Sequence, residues 1–261
     1  MNNKINTNIN IIGGIPNYDI IYDVLRLLAE NVPAENINKL VIVNNKYGIR
    51  TEEARGRFLR VIKSAFWQFK NSEHETLTRS LFKSEGFEKT KSFAIFWILG
   101  INNTLFENIT KQAFIKAYFS GRVQINNDEI IAYLRHERET NPVIQKWSDT
   151  TIKKVASKYL TFLKKIDFLK GRQKKEFKYI QIDHNSLIYF LYLIKAVEPN
   201  QPDMLKSRYI DFLFTEKASL INILKKAVFA EFFDIQTTGA DLKIDLKIDY
   251  GEIIDAISSR A

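Results

Sequence analysis

The sequence contains no cysteine in 261 residues. Disulfides, thiolate metal sites and cysteine nucleophiles are therefore excluded. Histidine is nearly as scarce: His74, His136 and His184 stand far apart, without the spacing of metal ligands. Long apolar runs are missing too. The longest, "FAIFWIL" and "LIYFLYLI", have 7 and 8 residues, far below the ~20 needed to cross a bilayer. Met1 is followed by the polar run "NNKINTN" rather than a basic n-region and an apolar h-region, so no signal peptide is expected. These absences predict a soluble cytoplasmic protein with no membrane partner, no metal site and no cofactor.

Hydrophobic residues make up 45% and aromatics 13% of the chain, which is enough for a real core and argues against disorder. The net charge is +9, and where it sits matters more than its size. Between Thr150 and Lys178 lie ten basic residues: Lys153, Lys154, Lys158, Lys164, Lys165, Lys170, Arg172, Lys174, Lys175 and Lys178. Asp167 and Glu176 oppose them, so ten against two leaves a local excess of eight in one ninth of the chain. From Asn200 onward eight basic residues face ten acidic ones. A localised patch of this kind favours a phosphate backbone or an acidic partner over general solubility.

The first two-thirds read as successive amphipathic helices. "NYDIIYDVLRLLAEN" opens on an Asn cap and puts Ile20, Val24, Leu27 and Leu28 on one face. "RTEEARGRFLRVIKSAFWQF" follows a Thr cap, with Glu early and bases late, the order the helix dipole prefers. Its apolar side is Ala54, Phe58, Val61, Ile62, Ala65 and Phe66. Its other edge carries Arg50, Arg57, Arg60 and Lys63, a second and smaller basic cluster. The helices around "SFAIFWILGI" and "TLFENITKQAFIKAYF" are apolar enough to form a core, and Pro142 stops the helix of "INNDEIIAYLRHERETNP". Later, "NSLIYFLYLIKAV" is apolar nearly all round and so should be buried. "EPNQPD" has the prolines and polar residues of a linker. After it come a helix, "EKASLINILKKAVFAEF", and two strands, "FFDIQ" and "DLKIDLKI", joined by "TTGA". Alternation of Leu242, Ile244, Leu246 and Ile248 with Lys243, Asp245 and Lys247 marks a half-buried strand.

The basic segment is the most informative. Ser148 and Asp149 can cap a helix whose apolar positions are Ile152, Val155, Ala156, Tyr159, Leu160, Leu163 and Ile166. Spacings of 3, 1, 3, 1, 3 and 3 make one helical stripe. Lys154, Lys158 and Lys165 share another face, with Lys153, Ser157, Thr161 and Lys164 beside them. "FLKG" and "EFKYIQI" can then pair around "RQKK". Two helices followed by a basic hairpin is the order of a winged helix-turn-helix, with 152–166 as recognition helix and 172–175 as wing tip. The candidate nucleic-acid contacts are therefore Thr150, Thr151, Lys153, Lys154, Ser157, Lys158, Thr161, Lys164, Lys165, Lys170, Arg172, Gln173, Lys174, Lys175 and Lys178, with Arg50, Arg57 and Arg60. Base readout uses Arg, Asn or Gln forks, whereas this helix offers Lys, Ser and Thr. Sequence-tolerant gripping of the duplex backbone is expected, with Arg172 or Gln173 as groove probes. Protein contacts through the same winged helix, or plain solvation of the lysines, are the competing readings.

Other chemistry is thin. "IIGGIP" lacks the GxxxxGK[ST] phosphate loop and reads as a turn before the helix of 17–31. "RHERE" lacks the second His of a metalloprotease helix. Asp203, followed by Asp241–Lys243 or Asp245–Lys247, has the outline of a PD-(D/E)xK nuclease. Placement of Asp203 in a linker and strand alternation explain these residues without catalysis. No catalytic residue is expected.

With these segments in place, the chain resembles the BrxA family of bacteriophage exclusion (BREX) defence systems from about Ile12 to Ile248. The resemblance is carried by the early "GG", "RTEEARGRFLRVIKSAF", "KQAFIKAYFSG" and above all "WSDTTIKKVASKYLTFLKKIDFLKG", followed by a basic hairpin and "LIYFLYLI". The C-terminal hairpin is longer than the family pattern. The resemblance implies a non-enzymatic, mostly helical protein that binds double-stranded DNA beside a methyltransferase, an ATPase and other BREX proteins. RNA stays open as a ligand, because family members share helical similarity with transcription antitermination factors. The expected fold is mainly α: a multi-helix bundle with a winged helix-turn-helix and β-hairpins near 168–182 and 231–248. Its expected parts are an N-terminal helical domain (1–125), a winged-helix segment (126–183) and a C-terminal helical part with a hairpin (184–261).

Overall fold

The structure, a computed structural model, describes residues 5–172, 174–238 and 241–259. It is mainly helical, with a few short antiparallel strand pairs. In chain order the helices are α1 (Ile9–Ile12), α2 (Asp19–Ala29), α3 (Ala34–Asn38, extended by a π-turn through Val43), α4 (Glu52–Phe66), α5 (Ser72–Lys83), α6 (Glu88–Asn102), α7 (Thr104–Ile109) and α8 (Lys116–Phe119). Strand β1 (Gln124–Ile125) precedes α9 (Asn127–Thr140), α10 (Asp149–Lys165), β2 (Leu169–Lys170) and β3 (Lys175–Phe177). Helices α11 (His184–Val197) and α12 (Lys217–Leu224), strands β4 (Phe233–Thr238) and β5 (Asp241–Leu246), and helix α13 (Ile253–Ser258) complete the chain.

Helix starts follow the caps written in the sequence. Thr51, Asn126, Ser148 and Asp183 each accept a backbone N–H from the first turn of the helix behind them. Asn126 and Glu129 form a reciprocal capping box. Helix α9 ends at Thr140, two residues before Pro142, as expected.

The described chain forms two compact units. The first comprises residues up to Leu25, Val32–Gln68 and Ile95–Ile180. Its core is aromatic: Phe96, Trp97, Phe106, Phe114, Tyr159 and Phe162 are all fully buried. Phe106 and Phe162 meet edge-on with ring centroids 5.3 Å apart, and Phe96 lies 5.0 Å from Phe168. The Tyr159 hydroxyl reaches Thr110 Oγ1 at 3.0 Å, and burial pushes its pKa up. The second unit comprises Arg26–Asn31, Phe69–Ala94 and Gln181 onward. Helix α11 buries nine consecutive residues, Ser186–Ile194, as its all-round apolarity predicts.

Four local expectations need correction. In α2 the buried face is Ile20, Ile21, Val24, Leu25 and Ala29, while Leu27 and Leu28 are half-exposed. The helix expected over 216–232 stops at Leu224, and a 3₁₀ turn at Ala227–Phe229 buries Phe229. The first hairpin is short, and it gains β1 as a third strand in the order β1-β3-β2. Finally, 198–203 is no free linker: it lies inside the second unit, and Asp203 is buried. One oxygen of Asp203 accepts the backbone N–H groups of Leu205 and Leu242, each at 3.0 Å. Asp203 thereby caps one turn and anchors β5.

Burial opposes ionisation of Asp203, but the Leu242 N–H, the Lys206 ammonium and the Leu205 N–H outweigh it and hold the pKa below the usual carboxylate range. The depressed folded pKa gives a stabilisation that is complete above the unfolded value of about 4 and is lost as pH falls through the lower folded one. Asp203→Ala should cost about 2 kcal/mol, because two N–H groups lose their acceptor. In Asp203→Asn, melting should depend less on pH below about 4 than in the parent; an unchanged acid limb in thermal unfolding would contradict this.

Candidate nucleic-acid interface

Helix α10 is the backbone of the site. Its buried residues are Ile152, Val155, Ala156, Tyr159, Leu160, Phe162 and Leu163. Phe162 extends the stripe read from the sequence, because α1 and Tyr18 cover a second flank of the helix. The close approach of α1 is made possible by Gly13: a Cβ there would stand 2.2 Å from the Lys158 carbonyl oxygen. The "GG" pair therefore follows a short helix and packs against α10, a role beyond that of a simple turn. Helix α9 holds the other end. Arg138 and Arg135 contact the Asp149 carboxylate at 2.8 and 3.2 Å, and chiefly Arg138 keeps its pKa low.

Packed on two sides, α10 has a narrowed edge for its lysines. Lys153, Lys154, Lys164 and Ser157 are exposed there, with Thr150 at the N-terminal end. Thr151 is half-buried and bonds Ser148, while the Thr161 hydroxyl donates to the Ser157 carbonyl at 2.7 Å. Lys158 and Lys165 are half-buried, which corrects the expectation that Lys154, Lys158 and Lys165 form one freely exposed face. Lys165 donates to the Ile15 carbonyl and lies 4.8 Å from the centre of the Tyr18 ring. Burial, then the charge of Lys158, lowers its pKa. The cost of replacing Lys165 would therefore fall partly on stability.

The strands continue the charge. Gly171 turns the chain at φ +89°, where a Cβ would meet the Lys174 carbonyl oxygen at 2.2 Å. Lys170 pairs with Glu176 at 3.2 Å and Lys178 with Asp167, so those two are largely neutralised. Arg172 and Lys174 are exposed and make no ion pair among the described residues. Gln173 lies outside the described residues. Lys175 reaches the Arg172 carbonyl, and burial followed by repulsion from Lys164 lowers its pKa. Helix end and strand pair thus share one crowded cationic field.

Arg50, Arg57 and Arg60 are exposed on or just before α4. The fold brings Arg57 beside Lys154 and Lys158 around one cavity, which the sequence left as two separate clusters. Asn10, Gly13 and Gly14 were missed as site residues; the glycine pair was the available signal. The residues of the nuclease outline are held in ion pairs: Lys206 lies 3.2 Å from Asp203 and 2.9 Å from Asp241, and Lys243 lies 3.0 Å from Asp245. Among the described residues no three acidic or histidine side chains cluster as metal ligands. Nor is any described helix long and apolar enough to cross a membrane.

Fold and site together define a mainly helical protein with a lysine-edged helix running into a small basic sheet. The chain belongs to the BrxA family, whose pattern it matches over residues 18–190. Family membership suggests a component of a BREX phage-defence system, with other BREX proteins as partners. No curated protein matches the sequence. Among solved structures, an uncharacterised protein from Magnetospirillum magneticum is similar with a TM-score of 0.55 and 18% identity, over 72% of this chain and 96% of that one. At that identity the likeness is one of fold alone.

Proposed function

We propose that this protein is a non-enzymatic DNA-binding component of a BREX system, working as a winged helix that grips the duplex backbone with little sequence preference. One observation carries the reading. The exposed lysines of α10, with Arg172 and Lys174 beyond it, have no carboxylate partner among the described residues, whereas the neighbouring cations Arg135, Arg138, Lys170 and Lys178 do. Burial chiefly, and after it the like charges of Lys158 and Lys164, depress the pKa of Lys165 and Lys175, and a polyanion relieves that repulsion. Lysine ammoniums act as point charges on phosphate, so affinity should depend little on base sequence.

In a titration on duplex DNA, single strands and structured RNA, duplex should bind best. With about five to seven phosphates neutralised, log K should fall with log salt at a slope of about −4.5 to −6. Tighter binding to structured RNA than to duplex would transfer the reading to RNA. No salt-dependent binding to any of the three would leave the lysines as a solvated edge.

A further inference from the structure

Between α1, α4 and α10 lies a cavity of about 220 Å³, several times the ~30 Å³ of one water. Asn10 and Gly14 line it from α1 and the turn behind it, Arg57 from α4, and Lys154 and Lys158 from α10. Ile11 and Phe58 complete the lining, so three of its seven residues are cations and none is acidic. None of the three makes an ion pair with a described carboxylate. Asn10 Oδ1 is buried without a hydrogen-bond partner, and half a turn of its amide would place N–H donors there instead. At Gly14 the wall is bare backbone: a Cβ added there would stand 3.2 Å from the Asn10 and Ile11 carbonyl oxygens and 3.7 Å from Lys158 Nζ.

We infer that this cavity is a seat for a single phosphate group, held between the Arg57 guanidinium and the Lys154 and Lys158 ammoniums. A guanidinium fork gives the orientation that two point charges alone lack. A bound phosphate also screens Lys158 from Lys165, whose pKa the pair's repulsion helps to lower. The inference rests on the DNA-binding reading for its ligand, a backbone phosphodiester. On that reading α4 and α10 contribute to one contact rather than to two patches. A free phosphate has the same chemistry, so the test has an arm for each.

Arg57→Gln, Lys154→Gln and their double variant are compared with the parent on duplex DNA across a salt series, with Lys174→Gln, which does not line the cavity, as a control. All three positions are exposed, so melting temperatures should stay level and report any misfolding. Each single change should weaken binding roughly tenfold at 0.1 M salt and flatten the slope by about 0.9. If both hold the same phosphate, the double variant should be little worse than either single one. Adding Lys174→Gln to either should multiply the losses. In the second arm, millimolar inorganic phosphate is added to the parent and to Arg57→Gln. A rise in melting temperature in the parent alone places a free phosphate in the seat.

Losses that multiply fully in the double variant, or singles that bind like the parent, overturn the backbone seat. If phosphate protection is then also absent, or equal in the parent and Arg57→Gln, the seat is overturned altogether. Failure of the parent itself to bind any duplex is a different result. It rejects the DNA-binding reading and leaves the seat to be decided by the phosphate arm.

Discussion

Changing Lys153, Lys154, Lys164 and Lys174 together to Gln should lower affinity for duplex DNA on the order of a thousandfold at 0.1 M salt. These four side chains are exposed and make no ion pair among the described residues, so their charge is available to a ligand. Each lost phosphate contact removes about 0.9 from the salt slope, and the four together should flatten it by about 3.6. Between 50 and 200 mM salt the parent should then lose about two orders of magnitude more affinity than the variant. The loss should be similar on unrelated duplex sequences, because backbone contacts carry no base information. Thermal stability should stay within about 0.5 kcal/mol, as for most exposed substitutions. Equal binding by variant and parent across the salt series would show that the lysine edge meets only solvent.

Gly13→Val should do the reverse and strike stability first. A Cβ at this position would lie 2.2 Å from the Lys158 carbonyl oxygen and 2.8 Å from its carbonyl carbon. Both are main-chain atoms inside α10, so no rotamer change can relieve the overlap. Helix α1 must lift away, and Ile9, Ile12 and Ile15, all fully buried, lose part of their packing. We expect a loss of about 3 kcal/mol in denaturant unfolding, at the upper end of overpacking costs. Duplex affinity should fall as well even where the protein remains folded, since α1 supplies one wall beside Lys154 and Lys158. A Gly13→Val protein with the parent's unfolding midpoint would mean that α1 does not dock on α10 as described.

Much of the architecture was legible because helices announce themselves locally. The 3.6-residue spacing from Ile152 to Leu163 and the Ser148 cap suffice to place α10. Strict alternation placed β5, whose Leu242 and Ile244 are buried and whose Asp241 and Lys243 are exposed. The two-residue strand β1 leaves no local signal, because its pairing with β3 joins Gln124 to Glu176 across a long stretch of sequence. Helix α1 was hidden by its four-residue length. In the sequence Asp203 reads as a linker residue, because its neighbours are prolines and polar groups. Its hydrogen bond to the Leu242 N–H is a long-range contact that composition does not record.

The sequence by itself determined the mainly helical class, the concentration of positive charge in 150–178, the amphipathic register of α10 and the resemblance to BrxA. All of these depend on residues close together in the chain, where periodicity and capping act. Tertiary structure decided which lysines remain at the surface. The approach of α1 through Gly13 takes Lys165 out of the exposed face and leaves Lys158 half-covered. It also joined Arg57 to Lys154 and Lys158 around a common cavity. Helical periodicity assigns each residue a face, but the elements that will cover that face come from distant parts of the chain. Their positions depend on packing fit, here on the absence of one Cβ.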